Sequence, residues 1–235
     1  MKKLFFPLVA SAFLFTAMVP AEVCESDLFV KGVSITTSTF DEKGKLVSTG
    51  TSTIKEVEKT AVSVFADMHV STVDAKSREM GSADVKMRCE NGKFYMDMKN
   101  FASSNNTRMG ADFSFDFEGI DIEYPSVMSV GMNLRDAHVI MTTKNNGSQF
   151  STTTIKMYNR KVVARENKTT PAGTFDCWKI EYDIDFEMVM AMGKLPIKPR
   201  HSIEWFTPKI GAVYTESYKE GKLESHSETT KIVKP

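Results

Sequence analysis

His69, His138, His201 and His226 are the side chains best suited to moving protons near neutral pH, and they stand far apart in the chain. Nucleophilic or metal chemistry needs more than isolated histidines. It needs a serine raised on a strand-to-helix turn, two histidines one helical turn apart, cysteine pairs at zinc spacing, or a glycine-rich loop that wraps phosphate. None of these patterns occurs. His69 alternates outward along an extended segment, while His201 and His226 sit among charged or hydroxyl residues. The sequence therefore predicts a non-enzyme, with no catalytic residues, no metal site and no cofactor.

One arrangement does suggest a cation. Glu181, Asp183, Asp185 and Glu187 alternate with apolar residues, so a strand here carries four carboxylates on one face, spaced by about 7 Å. Carboxylates suit calcium. The same face can also be neutralised without an ion. If the segment from Ile155 to Arg165 pairs antiparallel with it so that Met157 faces Phe186, Arg160 falls opposite Asp183 and Lys156 opposite Glu187. Such pairs on a solvated face contribute roughly a few tenths of a kcal/mol each. The row also lacks a turn that would converge ligands on one ion, so an ion-paired surface is expected in place of a calcium site.

Methionine is frequent, with 15 in the chain, and Met188, Met190 and Met192 run into a segment of broken alternation. The thioether adapts its shape, which suits ligands of loosely defined form and irregular cores alike. Phe113, Phe115 and Phe117 share one parity. These six residues are the candidate ligand-binding set, with the methionines as rim and the phenylalanines as floor. Plain core packing is the competing account.

Three cysteines allow one bridge, and we expect it between Cys24 and Cys89 with Cys177 reduced and buried. Cys89 ends a strand on its apolar parity, and Cys24 sits near the start of the exported chain. A bridge between them closes a loop of about 65 residues and stabilises the fold by about 4 kcal/mol in the chain-entropy model. Cys177 lies on the parity of Glu181 and Asp183, so its burial requires cover from a neighbouring segment.

Strands must position all of these groups, because apolar residues recur with period two almost throughout. Val62, Val64, Ala66, Met68 and Val70 take one parity, as do Ala83, Val85, Met87 and Cys89, and then Phe94, Met96 and Met98. Asn91-Gly92 and Asn146-Gly147 are hairpin-turn signals. Between residues 113 and 124 the apolar parity switches at Glu118-Gly119, which predicts a hairpin pairing Phe117 with Ile120, Phe115 with Ile122 and Phe113 with Tyr124. Pro125 ends its second strand. A long strand from Ser151 to Arg165, a loop at Lys168 to Thr174 and strict alternation from Cys177 to Met190 follow. After a loop from Met190 to Pro199, strands resume at Ser202 to Phe206 and Ala212 to Tyr218. About ten to twelve strands at this spacing predict an all-β fold: one strongly curved antiparallel sheet or a partly open β-barrel.

The first residues have the form of an export signal. Lys2 and Lys3 precede an apolar stretch from Leu4 to Val19, and Val19-Pro20-Ala21 offers small residues for cleavage. We expect the cut after Ala21, leaving a single β domain over 22–235 with no transmembrane segment. Val23 before Cys24 speaks against lipid attachment there. Loss of Lys2 and Lys3 leaves 28 basic against 30 acidic residues. No overall field then favours nucleic acid or an anionic membrane.

Several stretches carry a resemblance. They are Asp41-Glu42-Lys43-Gly44-Lys45-Leu46, Cys89-Glu90-Asn91-Gly92 with Met96-Asp97-Met98, and Asn159-Arg160-Lys161-Val162. The fullest is Thr169-Thr170-Pro171-Ala172-Gly173-Thr174-Phe175-Asp176-Cys177, followed by Glu204-Trp205-Phe206, Gly211-Ala212-Val213 and Glu216-Ser217-Tyr218. Together they resemble the TapB-type family of exported bacterial β-proteins, a domain of unknown function. The resemblance implies a location in the Gram-negative envelope, in the periplasm or at the outer surface, and brings no catalytic residues. The expected fold is also similar to the half-barrels of periplasmic lipoprotein carriers, an analogy of fold alone.

Two functions fit this reading. One is an envelope protein that binds an apolar or amphipathic, lipid-like small molecule in a concave sheet. The other is a structural or interaction protein with a fully packed core, whose partner is another envelope protein. A wide apolar cavity favours the first and a filled interior the second.

Overall fold

The computed structural model describes residues 26–98 and 113–235, so the expected leader, its cleavage point and Cys24 lie outside the described residues. A 3-10 turn at Asp27–Phe29 is followed by β1 (Ser34–Asp41), β2 (Leu46–Lys59), β3 (Ser63–Asp74), β4 (Glu79–Glu90) and β5 (Lys93–Met96). Then come β6 (Phe113–Ile120), β7 (Ile122–Pro125), β8 (Ala137–Asn145), β9 (Ser148–Thr170) and β10 (Gly173–Met190). The chain ends with β11 (Gly193–Leu195), β12 (Arg200–Thr207), β13 (Gly211–Lys219) and β14 (Lys222–Val233). All described strands join one antiparallel sheet in the order β6-β8-β9-β10-β12-β13-β14-β1-β2-β3-β4-β5-β7, with β11 folded back on β10.

The sheet curls into a nearly closed barrel with one unsealed seam, between β6 and β7. Alternation explains the curl. Met87, Ile122, Met157, Val162, Ile180 and Phe206 are fully buried on the inner face, so the sheet must wrap to cover them. The inner face is mainly apolar, with Arg160 and Glu204 as buried charged-type exceptions. Among the described residues no helix is long and apolar enough to cross a membrane.

Turn chemistry sets the registers. Asn91-Gly92 and Asn146-Gly147 both take positive φ at both positions, the conformation that two-residue hairpins with the right strand twist require. Pairing confirms these loops: Glu90 faces Lys93 and Asn145 faces Ser148.

The parity switch at Glu118-Gly119 is not a hairpin. β6 pairs with β8, with Phe117 facing Met141, and β7 pairs with β5, with Tyr124 facing Phe94. The chain passes from one edge of the sheet to the other at Asp121, which Arg88 of β4 holds at 2.5 Å. A switch of face on crossing the seam leaves the same sequence signature as a hairpin. Gly119 is required by close approach, since a Cβ there would stand 2.1 Å from the His138 carbonyl oxygen.

Two expected loops are shorter than the sequence suggested. β9 and β10 run into a two-residue turn at Pro171-Ala172, with Thr170 facing Gly173 at φ 138°. Within the segment from Met190 to Pro199, Gly193–Leu195 doubles back so that Leu195 faces Met188.

The register of β9 on β10 also differs, because Met157 faces Ile184 and Lys156 faces Asp185. Asn159, at φ 54°, marks a bulge that reverses the parity of β9, so inward positions change from Ile155 and Met157 to Arg160 and Val162. Arg160 is thereby buried at 2% exposure and is not opposite Asp183. The acidic row finds other partners: Asn159 and the His201 ring contact Asp183 at 2.9 Å each, the Tyr158 hydroxyl donates to Asp185, and Lys194 pairs with Glu187 at 2.7 Å. The His201 partner comes from the β10–β12 register, the Asn159 partner from the bulge and the Lys194 partner from the β11 return.

Candidate functional site

A cleft of about 1020 Å³ opens at one end of the barrel, a volume within the range of small-molecule sites. Five separate segments build it: the far end of the β9–β10 hairpin, the 3-10 turn, the loop after β7, the β12–β13 turn and the end of β14. The long hairpin coils far enough for β9 to touch β13 and β14, and the Ala172 amide donates to the Thr229 carbonyl. Trp178 faces Phe206 across β10 and β12, and Ile232 faces Ile35 across β14 and β1. Both therefore project from the inner face of the sheet, and together with Phe175, Ile210 and Met128 they give the cleft its apolar side.

Its rim is charged and mostly self-neutralised. The Arg165 guanidinium lies 5.0 Å over the Trp178 ring and pairs with Asp176, holding that carboxyl below the usual carboxylate range. On the opposite wall Lys234 pairs with Asp27 at 2.7 Å. Lys209 has no carboxylate partner among the described residues. Its carbonyl accepts from the Asp27 amide and the Ser26 hydroxyl, both at 2.9 Å, so the β12–β13 turn that presents it is tied to the 3-10 turn.

Between the barrel ends lies a cluster of buried side chains, with a polar network among them. The Tyr124 hydroxyl donates to Glu204 at 2.8 Å and the Tyr182 hydroxyl at 3.5 Å. Burial pushes the Glu204 carboxyl up from its ordinary value, against the opposing pull of those two hydrogen bonds and of Arg160. The Tyr124 ring stacks on Phe206 at 3.9 Å on one side, with the Arg160 guanidinium 4.9 Å from its centre. Arg160 Nη1 donates to the Glu123 and Arg135 carbonyls, while Nε and Nη2 are buried without a hydrogen-bond partner among the described residues. Arg160 thus ties β9 to β7, the strand at the opposite edge of the sheet, and crosses the seam from within.

A family model described as DUF3108-like matches residues 30–229. The chain belongs to the DUF3108-like family. No curated protein matches it. The fold resembles a Bacteroides fragilis protein inferred to be exported and having a YmcC-like fold, at 24% identity and TM-score 0.70, over 88% of this chain and 99% of that one. It also resembles a Parabacteroides distasonis protein inferred to be a lipoprotein, at 23% identity and TM-score 0.72, over 87% and 96%. The expected link to a family of unknown function is correct at that level, under the DUF3108-like description.

In this DUF3108-like chain the six candidate residues fall at the far end of the barrel from the cleft. Phe117, Met141, Thr153 and Met188 form one continuous row across β6, β8, β9 and β10, and Phe115, Thr143, Ser151 and Met190 form the next. All four predicted residues in these rows are half-buried on the inner face. Phe113 packs edge-to-face on Phe150, and Met192 is 99% exposed in the β10–β11 turn. Phe117 also lines a smaller pocket at the seam with Arg88 and Asp121.

The histidines of the DUF3108-like chain hold separate posts. His69 contacts Asp84 at 2.7 Å, His226 stacks between Phe40 and Tyr214, and His138 faces Lys156. Cys177 is free and buried, and Cys89 is disulfide-bonded. No bridge joins two described residues, and the expected partner Cys24 lies outside them. Cover for Cys177 comes from the hairpin coil: Lys168 reaches over Trp205 and Tyr214, and Glu166 accepts from the Trp205 indole at 2.7 Å. Sequence reasoning missed Trp178, Ile210, Ile232 and Lys209. Only the Pro171-Ala172-Gly173 turn signal pointed near them, since the cleft forms by tertiary closure of distant segments.

Proposed function

We propose that this DUF3108-like protein is a non-enzymatic protein of the cell envelope that binds an apolar or amphipathic small molecule in the cleft at the Trp178 end of its barrel. The observation that carries this reading is the cleft itself, large enough for a lipid-like molecule and lined by Phe175 and Ile210 together with Trp178 and Ile232, which project from the inner face of the sheet. Apolar surface left in a concave site is the usual driving feature of small-molecule binding. Export is supported by the leader-like first residues, by the TapB-type resemblance and by the character inferred for the two similar structures. Mass spectrometry of small molecules retained by protein isolated from its own envelope tests the reading. A reproducible lipid, lost on Phe175→Asp, is expected. Absence of any retained molecule, with no uptake of an apolar fluorescent probe, overturns it.

A second reading rests on the packed middle of the barrel, where Phe206, Met157 and Ile180 are fully buried. An envelope scaffold needs only such a core, and its partner would be another envelope protein. Cross-linking in the envelope to one defined protein, without a retained lipid, is the outcome that favours it.

A further inference from the structure

The charges around the cleft do not cancel. Arg165 with Asp176 and Lys234 with Asp27 form two pairs on opposite walls, and Lys209 is the cation left over among the described lining residues. The position of Lys209 is built: its carbonyl is held from two sides by the 3-10 turn, which also carries Asp27. The described lining thus holds three cations, Arg165, Lys209 and Lys234, against two carboxylates, Asp27 and Asp176, leaving about one net positive charge, carried at Lys209. From there the apolar side runs past Ile210 and Ile232 to Phe175 and Trp178.

We propose that the cleft selects a monoanionic amphiphile, a single acyl chain with a carboxylate or phosphate head, the head at Lys209 and the chain against Trp178. The inference rests on the ligand-binding reading above and adds the charge and polarity of the ligand. An uncharged head would leave the Lys209 charge unmatched. A cationic head would be repelled by it. A head with two or more charges would exceed the one unmatched cation and meet the Asp27 carboxylate in the same lining.

Titration of the full exported chain with oleate, with monoolein as the neutral analogue and with oleoyl lysophosphatidylglycerol, whose phosphodiester carries a single negative charge, as the phosphate head, separates the possibilities. Trp178 emission, isolated in a Trp205→Phe background, reports occupancy. Oleate is expected to bind more tightly than monoolein, and Lys209→Glu to weaken oleate by about fivefold or more while leaving monoolein unchanged. Lys55→Glu makes the same charge change on an exposed part of β2 and is expected to alter neither. Far-ultraviolet circular dichroism checks that each variant is folded, and Lys209→Gln gives an intermediate effect if reversal disturbs the turn. Tighter binding of the phosphate arm assigns the head as phosphate, and tighter binding of oleate assigns it as carboxylate. Equal affinity for oleate and monoolein, or equal behaviour of Lys209→Glu and Lys55→Glu, overturns the charge inference and leaves the binding reading in place. Failure of all three probes to bind removes both.

Discussion

Tyr124 and Glu204, eighty residues apart, share a 2.8 Å hydrogen bond inside the barrel, and that bond joins the strand at the seam edge to one in the middle of the sheet. Tyr182 donates to the same carboxylate, and Arg160 lies over the Tyr124 ring. Hydrophobic burial closes most of the barrel, yet this polar group of four sets how β7, β9, β10 and β12 meet.

Burial raises the Glu204 carboxyl above its unfolded value, so the fold favours its protonated form. The stability this contributes is fully present below the unfolded value of 4.5 and is lost as pH rises through the folded one. Wild-type melting temperature is therefore expected to fall as pH rises past the unfolded value of 4.5 and through the higher folded one. Glu204→Gln keeps an acceptor for Tyr124 and cannot ionise, so it should flatten that slope and melt a few degrees higher at neutral pH. Calorimetric melts of both proteins between about pH 4.5 and 8 check this, and parallel curves would show that Glu204 ionisation is not linked to folding.

Arg160→Ala removes two donated hydrogen bonds to the Glu123 and Arg135 carbonyls and empties a fully buried site. A loss of about 3–5 kcal/mol is expected by urea unfolding. Arg160→Met preserves much of the packing against Tyr124 and should cost less, because replacing a buried charge by an apolar side chain also removes its desolvation penalty. A cost for Arg160→Ala below about 1 kcal/mol would mean that Arg160 does not hold the seam.

At Gly119 an added Cβ would meet backbone, 2.1 Å from the His138 oxygen and 2.9 Å from the Val139 Cα. At Gly50 the nearest atoms stand at 3.8 Å, an ordinary contact. Gly119→Ala should therefore cost about 1–3 kcal/mol or more by forcing β6 away from β8, and Gly50→Ala about 0.5 kcal/mol or less. Equal losses in chemical denaturation would contradict the close approach.

Desolvation pushes the Cys177 thiol up to about 11, and its side chain is 1% exposed. Native protein at pH 8 should resist a thiol reagent, and denatured protein should label at Cys177 alone. Peptide mapping without reductant is expected to give a Cys24–Cys89 cross-link, and a cross-link involving Cys177 would reject the pairing.

Period-two alternation, the Asn-Gly turns and the near absence of helical periodicity were enough to establish an antiparallel β fold, because side-chain parity and turn backbone geometry are local properties. Inward positions such as Val64, Ala66, Met68, Val85 and Met87 were legible for that reason, and all are buried. Wherever a face changes, local pattern stops being sufficient. The switch near Gly119 fits a hairpin and a seam crossing equally well, and only the pairing of β6 with β8 and β7 with β5 separates them. The Asn159 bulge moves Arg160 from an expected surface pair into the core, an outcome that depends on which residue the ladder leaves unpaired. The cleft is the extreme case. Its lining comes from residues between Asp27 and Lys234, and nothing in any one segment marks it. Alternation in the chain determined that this protein curls a sheet around an apolar core. Closure of the barrel alone decided that Lys209 stands beside Asp27 and that Trp178 faces the same cleft, because contacts across so long a separation depend on where the sheet's ends finally meet.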